Sequence, residues 1–147
     1  MKYHKILLLI FLFSIMSNTA QAVYIQGGGT LMDWAHLKKY EQSNSELKKI
    51  NDPNRVVFMG NSITEGWSNF DKDFFINNPF VNRGISGQTT PQMLIRFKPD
   101  VVNLNPKAVV ILAGINDIAE NTGPITLENI AENIISMAEI AKANDIK

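Results

Sequence analysis

The segment Val56-Val57-Phe58-Met59-Gly60-Asn61-Ser62-Ile63-Thr64-Glu65-Gly66 decides the fold. Four apolar residues in succession, without alternation, suit a parallel strand covered on both faces by helices. The run stops at a glycine, an asparagine and a serine, and the chain then reads as entering a helix. A serine at such a strand-to-helix turn carries its hydroxyl at the sheet edge. There its own N–H and the start of the following helix can face a developing negative charge.

The flanking sequence repeats the pattern. Phe80-Val81-Asn82 follows an Asn77-Asn78-Pro79 turn and reads as a second short strand, and Ala108 to Ala113 as a third. Between them, Pro91 to Phe97 predicts a short helix ended by Lys98-Pro99. After the third strand, Leu127, Ile130, Ala131, Ile134, Ala138 and Ala141 mark one helical face, with Thr126 as its N-cap. Upstream, Leu31, Trp34, Leu37 and Tyr40 recur every third residue and continue to Leu47 and Ile50, which predicts an amphipathic helix broken by Asn51-Asp52-Pro53-Asn54. Strands alternating with helices predict an α/β layer architecture with a parallel sheet joined by right-handed crossovers.

Composition sets the bounds. The chain has 147 residues with 14 basic and 14 acidic side chains, so charge gives no reason to expect a nucleic-acid partner. Residues 1–22 combine Lys2 and Lys5, an apolar run from Ile6 to Met16 and an Ala20-Gln21-Ala22 end, the pattern of a cleaved secretory signal. That predicts a secreted or periplasmic protein with no stable membrane span after cleavage, and a mature segment at residues 23–147. The chain has no cysteine, which excludes disulfides, thiolate zinc sites and lipid attachment through cysteine. Stability must come from one packed core, of which a domain near this size buries roughly 70% of its unfolded surface. Gly27-Gly28-Gly29 is the one linker-like patch.

Three loops follow the carboxyl ends of the predicted strands, the edge at which open parallel sheets bind ligands. They are Gly60 to Gly66, Arg83-Gly84-Ile85-Ser86-Gly87-Gln88-Thr89-Thr90, and Gly114-Ile115-Asn116-Asp117. In order and strand context they resemble the first three blocks of the SGNH hydrolase superfamily, the GDSL-type lipases and esterases. The resemblance runs from about Arg55 to the last helix. It implies a three-layer α/β/α, flavodoxin-like fold and a serine ester hydrolase, including the possibility of a carbohydrate deacetylase, acting through an acyl-serine. It implies Ser62 as the nucleophile, and Ser62 N–H, Gly87 N–H and the Asn116 side-chain amide as the oxyanion hole. A small-molecule or glycan ester is the implied substrate, with no metal and no organic cofactor.

The residue types fit that chemistry independently. Glycine lets backbone approach a substrate closely, and asparagine is an uncharged donor with no proton to lose. Each also has a local explanation: Ser62 as an N-cap, Asn116-Asp117 as a turn cap, Gly84 and Gly87 as backbone geometry alone. Trp67 reads as packing. Asn61 replaces the aspartate of Gly-Asp-Ser with a residue of the same shape, so the local geometry is expected to persist.

One block is missing. The resemblance places the general base in a C-terminal Asp-x-x-His, yet the two histidines are His4, in the signal, and His36, in the first predicted helix. Asp33-Trp34-Ala35-His36 spells the motif at the wrong end of the chain. The expectation is therefore an N-terminal portion, incomplete at the C-terminus and inactive alone. A different class of function is a non-catalytic glycan-binding pseudoenzyme on the same fold. A nucleotide binder fits less well, because Gly60 to Gly66 lacks a phosphate-loop lysine and Gly84-x-x-Gly87 is short of a dinucleotide fingerprint.

Overall fold

The computed structural model describes residues 33–147. The chain divides into two units, residues 1–34 and 35–147, and the sheet with its helices belongs to the second. The signal reading of residues 1–22, the Gly27-Gly28-Gly29 patch and Leu31 lie outside the described residues.

Strand β1 (Val56–Gly60) is central, parallel to β2 (Phe80–Gly84) on one side and β3 (Ala108–Leu112) on the other. Gly60 lies level with both Gly84 and Leu112, so all three strands end at one edge. The helices are α1 (Glu41–Lys48), α2 (Ser62–Phe70), α3 (Lys72–Ile76), α4 (Thr90–Asp100), α5 (Ile115–Ile118) and α6 (Leu127–Ala143).

The twofold period of β1 sorts its side chains between two layers. Val57 and Met59 are fully buried in a core with Val81, Met93 and Phe97, which Met137 and Ala141 of α6 complete. Phe58 points the other way, into rings from Trp67, Phe74, Phe75 and Phe80 at centroid distances of 5.3 to 5.6 Å. Trp67 stacks on Phe74 at 4.6 Å, so its ring is a packing element as the sequence predicts. The unbroken apolar run of β1 is the signature of this double cover.

Three elements depart from the sequence reading. Of the predicted helix from Leu31 to Ile50, the described residues form an α-helix only over α1; His36 takes a left-handed φ of 55° and residues 37–40 form turns. Trp34 and Leu37 are exposed, so the three-residue spacing there marks no buried helical face. α4 runs through Pro99 instead of ending before it, because a proline in a last turn forfeits one hydrogen bond while the Val101 N–H still reaches the Phe97 carbonyl at 2.9 Å. In α6 Thr126 does cap the helix, accepting from the Asn129 N–H at 3.2 Å. The buried face there is Ile130, Met137 and Ala141, however, while Leu127, Ala131 and Ala138 are exposed. It is turned toward the α4 seam, where Met93 and Phe97 leave the space.

β3 is the apolar strand with a free side. Val110 and Leu112, two residues apart and therefore on one face, are 47% and 43% exposed. Beyond β3, Lys147 makes a single parallel bridge: its carbonyl accepts from the Val109 N–H at 2.8 Å and its N–H donates to the Lys107 carbonyl at 3.1 Å. From Val110 onward that edge is unpaired among the described residues, a template for strand addition. A polypeptide of these 147 residues is expected to self-associate through β3. Val110→Lys with Leu112→Lys should lower its light scattering at equal concentration, and unchanged scattering would show that another surface drives association.

Candidate active site

The cap of α2 falls on Asn61 and not on Ser62. The Asn61 Oδ1 accepts from the Ile63 N–H at 3.0 Å, which leaves Ser62 as the first helical residue. Ser62 is exposed, and among the described residues its Oγ has no hydrogen-bond partner. The Asn61 Nδ2 is buried without a partner.

The loop after β2 is drawn against α2. The Ile85 N–H donates to the Gly60 carbonyl at 3.0 Å, continuing the strand pairing into the loop. A Cβ on Gly84 would stand 2.1 Å from the Glu65 backbone nitrogen, so only glycine permits this approach. Gly87 is a glycine for a different reason. It has a φ of 77° and open space where a Cβ would sit. Glu65 spans the gap: one carboxylate oxygen accepts the Ser86 backbone N–H at 2.7 Å and the Ser86 hydroxyl, and the other accepts the Lys39 ammonium. Burial pushes the Glu65 carboxyl upward, but the hydrogen bonds from Lys39 and Ser86 together outweigh it and hold the group below the usual carboxylate range.

The third loop is bound to the second. The Asn116 Nδ2 donates to the Gln88 carbonyl at 2.9 Å, and the Asn121 Nδ2 to the Gly87 carbonyl at 3.3 Å. Asp117, fully buried, accepts the Thr90 N–H at 2.9 and 3.0 Å and the Thr90 hydroxyl at 2.6 Å. Gly87 and Asn116 are therefore joined by direct bonds between their loops. Ser62 is joined to the Gly87 loop through Gly60 and Glu65, and it forms no direct hydrogen bond with Asn116.

Behind the loops lies a buried polar network that the sequence reading did not single out. Arg96, fully buried on α4, donates to the Gly60 carbonyl at 3.0 Å, to the Gln88 side-chain oxygen, and to Asp100 at 3.0 Å. Gln88 in turn donates to the Ala35 carbonyl at 2.8 Å. Asp100 also accepts from Asn44 of α1 at 2.6 Å, and Asn44 accepts from Arg83 at 2.9 Å. Tyr40 donates to the Gly84 carbonyl beneath the Arg83 guanidinium, which sits 4.5 Å from its ring centre.

Burial pulls Arg83 down to about 10 against the opposing pull of Asp100 and Tyr40. Arg96 is lowered by burial in the same way, with Asp100 opposing. Burial, then the charge on Glu65, raises Tyr40. Both guanidinium groups stay charged at neutral pH, with one buried carboxylate between them.

His36 is the only histidine among the described residues; it is exposed, its carbonyl accepts the Lys39 N–H at 3.1 Å, and no hydrogen bond ties it to the three loops. Among the described residues no group of His, Cys, Asp or Glu is placed to hold a metal ion, and no helix is long and apolar enough to cross a membrane. The signal that could have revealed the network is the charged pair Arg96 and Asp100, four apart on one helix beside the apolar Met93 and Phe97.

A family model described as GDSL-like lipase/acylhydrolase matches residues 58–147. A crystal structure of a candidate acylhydrolase from Bacteroides fragilis NCTC 9343 is 55% identical with a TM-score of 0.74, covering 78% of this chain and 56% of that one. A GDSL-like lipase from Bacteroides thetaiotaomicron VPI-5482 is 52% identical with a TM-score of 0.72, covering 77% of this chain and 56% of that one. The uncharacterized lipoprotein YqeF of Bacillus subtilis (strain 168) is 34% identical over 74 residues, 48% of this chain and 30% of that protein. The chain thus spans little more than half the length of the two solved relatives and under a third of the curated one.

The buried ion pair can be tested by stability. Arg96→Met leaves the buried Asp100 carboxylate with Asn44 as its side-chain hydrogen-bond donor and without its ion-pair partner, and is expected to cost about 3–5 kcal/mol in urea unfolding. Arg96→Met with Asp100→Leu should recover part of that loss. A single variant within about 0.5 kcal/mol of wild type would remove the pair from its structural role.

Proposed function

The chain belongs to the GDSL-like lipase/acylhydrolase family, and from that premise we propose a serine ester hydrolase in which Ser62 is the nucleophile. The Ser62 oxygen attacks the acyl carbonyl carbon and its proton passes to a general base. The carbonyl oxygen becomes an oxyanion facing the N–H groups of Ser62 and Gly87 and the Asn116 amide. Collapse expels the alcohol and leaves an acyl-serine, which water hydrolyses to the free acid. The resemblance assigns the base to an Asp-x-x-His block, and no such block occurs between Ser62 and Lys147.

The observation that carries the reading is the division of labour at the α2 N-terminus: Asn61 does the capping, and Ser62 is left exposed with an unengaged hydroxyl. Asn116 supports it in a second way. Its amide carries two protons, and the bond to the Gln88 carbonyl uses one, which fixes the plane of the group and leaves the other for a ligand. Ser62 N–H, as the first of the helix, has no intrahelical acceptor and lies at the positive end of the dipole.

For the substrate we propose a small acyl ester of a carbohydrate met outside the cytoplasm. The export-type pattern of residues 1–22 supports the compartment, and the even charge balance favours an uncharged glycan ester over a polyanion. In a form of the protein that also supplies the general base, hydrolysis of p-nitrophenyl acetate should fall about 10⁴-fold or more in kcat for Ser62→Ala. Asn116→Ala should lose about 10²- to 10³-fold. Equal rates for wild type and Ser62→Ala would remove Ser62 from the nucleophile role, and glycan binding without acetate release would favour the binding-domain alternative.

A further inference from the structure

Gly87 carries one of the three proposed oxyanion donors, yet its own atoms do little to fix where its N–H points. It has a left-handed φ of 77°, and nothing stands within 4 Å of the position a side chain would take. Its aim therefore depends on its neighbours. On one side, its carbonyl is held by Asn121 at 3.3 Å. On the other stands Ser86, whose N–H and hydroxyl both end on the Glu65 carboxylate.

We propose that Glu65 is a positioning residue: it sets the Gly87 N–H in register with Ser62 by clamping the Ile85-Ser86-Gly87 turn to the first turn of α2. This rests on the hydrolase reading above. Glu65 is rigidly related to Ser62, being three residues further along the same helix, and its backbone N–H closes the first turn by donating to the Asn61 carbonyl at 2.9 Å. Lys39 holds the other carboxylate oxygen, so the side chain cannot swing away from Ser86 without breaking an ion pair. The absent side chain at Gly84 lets the β2 end come close enough for the reach.

Stability gives little reason for such an arrangement. The side chains of Lys39 and Glu65 are 37% and 28% exposed, a setting in which ion pairs contribute little to folding. Placement is another matter, because a 1 Å error between a nucleophile and a donor can cost about 10²-fold in rate. The clamp ties the two elements that must agree to that tolerance.

The test uses a form of the protein that also supplies the general base, with Glu65→Ala, Glu65→Gln and Ser62→Ala compared with wild type. Glu65→Ala should lower kcat for p-nitrophenyl acetate by about 10- to 10²-fold with KM within about twofold, speed amide hydrogen exchange at Ser86, and leave Tm nearly unchanged. Glu65→Gln keeps an acceptor for the Ser86 N–H and should restore most of the rate. A Glu65→Ala protein with wild-type kcat, or one whose rate loss matches a collapse in Tm and is not rescued by glutamine, would overturn the proposal. If Ser62→Ala is as active as wild type, the hydrolase reading falls instead. The clamp is then judged by Ser86 exchange alone: faster exchange in Glu65→Ala supports it and unchanged exchange overturns it.

Discussion

Arg96 is the constraint on which the candidate site rests. Its guanidinium is fully buried, and its donors go to the end of β1, to the loop after β2, and to Asp100 on its own helix. A charge buried so deeply is tolerated only if its protons are engaged and a counter-charge is near. Meeting that requirement brings Gly60 and Gln88 to a fixed separation. Gln88 then passes the constraint on, since its carbonyl is the acceptor that holds Asn116. One desolvated cation thus relates the first loop to the second directly, and the third through one further bond.

The two sides of the loop cluster are held by different physics. Underneath, the Arg96 network and the Asp117 bonds to Thr90 are dry, so each is strong and each would be costly to leave incomplete. On the rim, Lys39, Glu65 and Ser86 are partly wet, and their bonds add little to folding while still restricting where a turn can sit. The division suits a site that must be rigid in its frame and open to a ligand at its surface. It also explains the glycines. Gly84 is set by close approach and Gly87 by a left-handed backbone, and both follow from the loop's position against α2.

The sheet supplies the frame for this arrangement. β1 is buried on both faces, by aliphatic and sulfur-containing side chains on one side and an aromatic cluster on the other. Because neighbours on both sides pair with it in the same direction and register, every loop leaving the carboxyl ends starts from one level. Convergence of three segments far apart in the chain is therefore a property of parallel pairing before any side chain is considered.

What the sequence determined by itself was local. Runs of consecutive apolar residues located the first and third strands, a turn followed by Phe80-Val81 located the start of the second, and the alternation of strand and helix was enough for the layer architecture. Ser62, Gly87 and Asn116 were singled out by the resemblance of three loops, each of which follows a strand end. Tertiary structure alone decided the rest. It assigned the cap to Asn61 and carried α4 through Pro99. It turned the buried face of α6 toward α4, and it gathered Tyr40, Asn44, Arg83, Arg96 and Asp100 into one network. The reason is range. A strand or a turn is specified by neighbours a few residues apart, whereas the partner of a buried charge lies wherever packing brings it. Nothing in the spacing of Asn44 and Asp100, 56 residues apart, announces that they meet.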